Sequence, residues 1–135
     1  RSAAARAPSC AAASRFRACP ATIPQVSDPE GRLPAHLEVS ALLRRVQQEG
    51  GFATVLARGE ADAGTVLIVL ADRAAPQRAY ERMPSADGIR RWALSRTADA
   101  DDPMAFSDWL DRRHAQDPDL WIVELDIPQG ERFIP

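Results

Sequence analysis

The spacing of apolar and polar residues changes several times along the chain, and each change marks an element. His36-Leu37-Glu38-Val39 alternates over four residues, which predicts a short strand. Ser40 then suits a helix N-cap, and Ala41 to Glu49 sets Leu42, Leu43 and Val46 on one helical face. Gly50-Gly51 stops that helix, because glycine adopts the left-handed C-cap cheaply. Phe52 to Ala57 reads as a strand, residues 58–64 as a polar turn, and Thr65 to Ala71 as a second strand, the two paired as a hairpin. Val66 to Leu70 is apolar at consecutive positions, so both its faces require cover and it is expected at the centre of the sheet.

Gln77 to Met83 and Ile89 to Arg96 form a second predicted hairpin across a Pro-Ser-Ala-Asp-Gly turn. Asp102-Pro103 starts a helix, as an N-cap acid followed by proline at the first helical position. It continues to about Ala115, with Phe106, Trp109 and Leu110 on its apolar stripe. Leu120 to Ile127 is the last strand: Trp121, Val123, Leu125 and Ile127 share one face, and Phe133-Ile134 returns to pack on the sheet. The order β-α-β-β-β-β-α-β, with four consecutive strands, predicts an α+β fold built on a mostly antiparallel sheet. Both helices are expected on one face of that sheet, with Trp121 beneath the helix that carries Trp109.

Residues 1–32 are different material. Alanine, serine, proline and arginine dominate and no apolar period is sustained, which predicts a disordered extension ahead of one domain at 33–135. Competing readings are an organellar transit peptide or a basic arm; a secretory signal would need a continuous apolar stretch that is missing.

Composition refines this picture in three ways. The chain has 135 residues, enough for one core, and its longest apolar run is far too short to span a membrane. All 17 basic residues are arginine, a pattern that fits GC-rich codon usage and so carries no preference for phosphate. Residues 1–27 hold four arginines and no acid, whereas the remainder is net acidic, which argues against a dedicated nucleic-acid-binding domain. The two cysteines, Cys10 and Cys19, both fall in the extension, so the folded part is cysteine-free and suits a cytoplasmic location.

Three blocks carry a family resemblance. They are Leu37-Glu38-Val39-Ser40-Ala41-Leu42-Leu43-Arg44-Arg45, the stretch from Gly50 to Glu60 continued by Ala63-Gly64-Thr65-Val66-Leu67, and Asp117-Pro118-Asp119-Leu120-Trp121-Ile122-Val123-Glu124-Leu125. Together they resemble the small alphaproteobacterial proteins grouped as domain of unknown function 1491, over residues 33–135. The resemblance implies a bacterial, cytoplasmic protein and takes weight from the transit-peptide reading. It implies no activity and no site residues.

No phosphate loop, dinucleotide fingerprint, nucleophile elbow or zinc-binding spacing occurs, so no catalytic residue, metal or cofactor is assigned. Gly59 to Gly64 is a surface turn whose acids would repel phosphate. His114 stands near Asp117 and Asp119, a polar cluster that could serve an enzyme, although a capping or solvent-facing histidine is the plainer reading. Arg78, Tyr80 and Arg82 share one strand face and Arg90 and Arg91 lie on the next strand, a candidate interaction face that could also seat single-stranded nucleic acid. The leading expectation is a non-enzymatic protein-interaction module, self-associating through a sheet edge or this arginine-bearing face. RNA or single-stranded DNA binding and an enzyme using His114 are the alternatives.

Overall fold

The computed structural model describes residues 33–135; the extension expected at 1–32, with Cys10 and Cys19, lies outside the described residues. The chain runs through α1 (Ala35–Gln48), β1 (Phe52–Ala57), β2 (Val66–Ala71), β3 (Arg78–Pro84), β4 (Arg90–Thr97), α2 (Pro103–Gln116), β5 (Trp121–Asp126) and a 3-10 turn (Gly130–Phe133). The α+β class is as expected, with two helices and a largely antiparallel sheet.

The short strand expected at 36–39 is instead the first turn of α1. Ala35, Val39, Leu42 and Val46 are buried along one stripe, so the helical period begins before the four-residue alternation and overrides it. Ser40 is no cap. It sits within the helix, where its hydroxyl donates back to the His36 carbonyl at 2.7 Å. The helix start is capped from elsewhere in the chain: the Ala35 and His36 amides donate to the Asp62 and Ala61 carbonyls at 3.2 and 2.9 Å. Gly50, at φ +80, closes the other end as expected.

The sheet order is β1-β5-β2-β3-β4, so the β1–β2 hairpin does not form. β5 inserts between them, antiparallel to β1 and parallel to β2. The two most apolar strands thereby lie side by side in the middle, where both faces are covered. β2 is central, as its unbroken apolar run demanded, and β2-β3-β4 is the expected meander.

The helices cover opposite faces rather than one. α1 packs its stripe on Val66, Ile68, Leu70, Val123 and Leu125, while Phe106 of α2 packs on Leu67, Val69, Ala79, Leu120 and Ile122. Trp121 therefore belongs to the α1 side and not beneath Trp109. The reason is in β2, which is apolar on both faces, and in β5, which adds Val123 and Leu125 to one face and Ile122 to the other; each side chain of this size contributes about 1.5–3 kcal/mol only when covered. Phe133 returns to the α1 side and is fully buried, as expected.

Gly59 and Gly64 serve a close backbone approach. A Cβ at Gly59 would lie 2.0 Å from the Asp119 carbonyl oxygen, and one at Gly64 would lie 2.3 Å from that of Glu60. Between them the Glu60 carboxylate accepts from the Asp62 and Ala63 amides, which holds its pKa below the ordinary carboxylate value. The Glu60 carbonyl in turn receives the Trp121 indole N–H at 2.7 Å.

Candidate functional site

β3 places successive side chains on opposite faces, and two neighbours of opposite charge use this to hold both helices. Glu81, only 7% exposed, faces α2 and accepts two hydrogen bonds from Arg113, at 3.0 and 3.1 Å. The Glu81 carboxylate raises the Arg113 pKa further. Arg82 faces α1 and donates twice to Glu38, at 2.5 and 3.2 Å, while its guanidinium lies 4.9 Å from the centre of the Trp92 ring.

That arrangement decides what the arginine-bearing face can do. Arg78 pairs with Glu131, Arg82 with Glu38, and Arg91 with Asp87 at 2.8 Å. Arg90 is exposed and has no carboxylate partner among the described residues. Tyr80 and Trp92 are half-buried against the α1-side core. The structure thus brings Arg78, Tyr80 and Arg82 to one face beside Trp92, with both of those guanidinium groups engaged.

The polar cluster near the end of α2 divides. Asp117 accepts from the Thr65 hydroxyl and from the Asp119 amide, both at 3.2 Å, and acts as a structural link to the start of β2. His114 turns elsewhere: its Nδ1 is buried without a hydrogen-bond partner, and no bond joins it to Asp117 or Asp119. Among the described residues no group of three or more His, Cys, Asp and Glu side chains is placed to hold a metal ion. A wide, open hollow of about 630 Å³ lies between the 73–77 and 97–103 segments, away from these residues.

Sequence reasoning passed over two features. Glu124 on β5 is half-buried between Thr54 and Val69, receives the Gln77 amide at 3.3 Å, and has its pKa raised by burial and by nearby Asp126. The second is β1 itself. Among the described residues this edge strand pairs only with β5, from Phe52 opposite Asp126 to Val55 opposite Val123, with an irregularity before Ala57. All six of its residues are uncharged, and Phe52 and Leu56 are 73% and 49% exposed. The uncharged run was visible in the sequence; its place at an edge was not.

A five-stranded mixed sheet with one helix on each face, its β3 strand clamped to both helices by ion pairs, defines a small α+β domain. The chain belongs to the family described as "Protein of unknown function (DUF1491)", whose model matches residues 33–135. It is similar to the crystal structure of a DUF1491 family protein from Caulobacter crescentus CB15, at 35% identity over 76% of this chain and 94% of that one, with a TM-score of 0.64. A solution structure of a protein from A. tumefaciens is 28% identical over 76% of this chain and 92% of that one, with a TM-score of 0.61. None of these descriptions names an activity or a ligand. No curated protein matches the chain. Among the described residues no helix is long and apolar enough to cross a membrane.

Proposed function

We propose that residues 33–135 act as a protein-interaction module that accepts a partner's strand along the outer edge of β1. One observation carries this reading: an uncharged edge strand exposes Phe52 and Leu56. Backbone N–H and C=O groups on a sheet edge have no sheet partner and pair readily with an extended segment. Exposed apolar side chains beside them add the contacts that make such pairing selective.

The arginine-bearing face offers less to nucleic acid, since phosphate would have to displace Glu131, Glu38 and Asp87 from guanidinium groups they already hold. An enzyme built on His114 lacks the orienting hydrogen bond that a general base uses. A cysteine-free segment from 33 onward supports a cytoplasmic setting for the module.

Capture from native lysate at moderate salt, using the tagged full chain, tests the edge. Wild type and Arg91→Ser should each retain a stoichiometric protein, and Phe52→Asp should lose it. Equal retention by Phe52→Asp would sink the edge reading. Nuclease-sensitive material released by salt would move the function to the arginine-bearing face.

A further inference from the structure

Resting on β1 as the pairing edge, we infer that the strand it accepts is β1 of a second copy, joined antiparallel about a two-fold axis through Thr54. A two-fold axis perpendicular to the sheet keeps each face continuous across the junction, so residues opposite one another must lie on the same face. Registers that satisfy this are centred on a residue, and the one centred on Thr54 uses the strand from Phe52 to Leu56 in full. It sets Thr54 against Thr54 of the second copy and Phe52 against Leu56 of the second copy. Threonine pairs and aromatic–aliphatic pairs are both favourable across antiparallel strands.

Charge selects this edge over the other. An isologous contact confronts a strand with its own sequence, so every like charge near the axis is repelled. β1 has no charge to oppose. β4 carries Arg90, Arg91 and Arg96, and a two-fold axis through it would bring those arginines toward their own copies. Arginine on an edge is a common protection against pairing, and β1 has neither charge nor proline to provide it. Its single blunting feature is the irregularity between Val55 and Ala57, at the end of the strand rather than at Thr54.

The result is a continuous ten-stranded sheet held by a short interface, hence a weak and reversible dimer. The full chain under reducing conditions should pass from monomer to dimer mass by light scattering between micromolar and submillimolar concentration. Phe52→Asp should raise the dissociation constant at least tenfold without unfolding the protein, because Phe52 is largely exposed. In a Cys10→Ser, Cys19→Ser background, Thr54→Cys should form a disulfide-linked dimer under mild oxidation, and Thr97→Cys on β4 should not.

A monomer at every concentration, with no trapping through Thr54→Cys, overturns the second-copy inference. If Phe52→Asp still abolishes capture of a different protein, the edge reading survives that loss. A dimer trapped through Thr97→Cys and not through Thr54→Cys overturns both.

Discussion

β1 and β4 end the same sheet on opposite sides, yet they meet the problem of an unpaired edge differently. β4 is longer, carries three arginines and packs against β3, which is tied to α1 by Arg82–Glu38 and to α2 by Glu81–Arg113. β1 is uncharged and rests on β5 and α1 through Ala53 and Val55. One side is thus held by ion pairs and guarded by charge; the other is held by apolar packing and left open. The contrast shows that the two edges are not equivalent surfaces, even though each presents exposed apolar side chains, Leu94 on β4 and Phe52 on β1.

The largest effect expected from breaking this contrast lies on the ion-paired side. Glu81→Ala leaves the Arg113 guanidinium part-buried and unpaired, at a cost of about 2–3 kcal/mol. Asp87→Ala removes the exposed partner of Arg91 and the turn acceptor of the Ile89 amide, and should cost far less. Urea unfolding of the two variants measures both, and equal losses would show that Glu81 does not anchor β3.

The guard on β4 gives the next effect in size. Replacing Arg90 and Arg91 with threonine removes two of its three charges while keeping a good strand residue at each position. The protein then has two pairing edges, so closed dimers should give way to open-ended assemblies whose mass grows with concentration. Light scattering unchanged from wild type would remove the protective role from the arginines.

The smallest effect concerns the β1 side, through Glu124 on the neighbouring strand. Burial raises its folded-state pKa, so folding takes up a proton between the unfolded and folded values. Its contribution is therefore most favourable in acid and is lost as pH rises through the folded value. Glu124→Gln keeps an oxygen for the Gln77 amide and escapes that loss, so its melting temperature should exceed wild type at neutral pH and match it in acid. A constant difference across the pH range would count against burial as the cause.

Local chemistry was enough to place most elements. The two-faced apolar pattern of β2, the Asp102-Pro103 helix start and the Gly50 stop are all decided by residues a few positions apart, and each stands where the pattern put it. The opening helix was the exception: four alternating residues satisfy both periods, and only burial along Ala35, Val39, Leu42 and Val46 selects the helix.

The candidate surfaces were less legible, because they depend on distant residues. Arg78 and Arg82 looked available in the sequence, but Glu131 and Glu38 reach them from 53 and 44 residues away. The run Phe52–Ala57 was readable as a strand from its composition alone. Its edge position arises because β5, more than sixty residues later, is buried at Trp121, Ile122, Val123 and Leu125 and inserts beside β2, which displaces β1 from β2. The sequence by itself determined which segments are helix or strand from Ala41 onward and which faces are apolar, since those follow from local period. Tertiary structure alone decided strand order, the separation of the helices onto two faces and which charges are neutralised, because burial is settled between segments far apart in the chain.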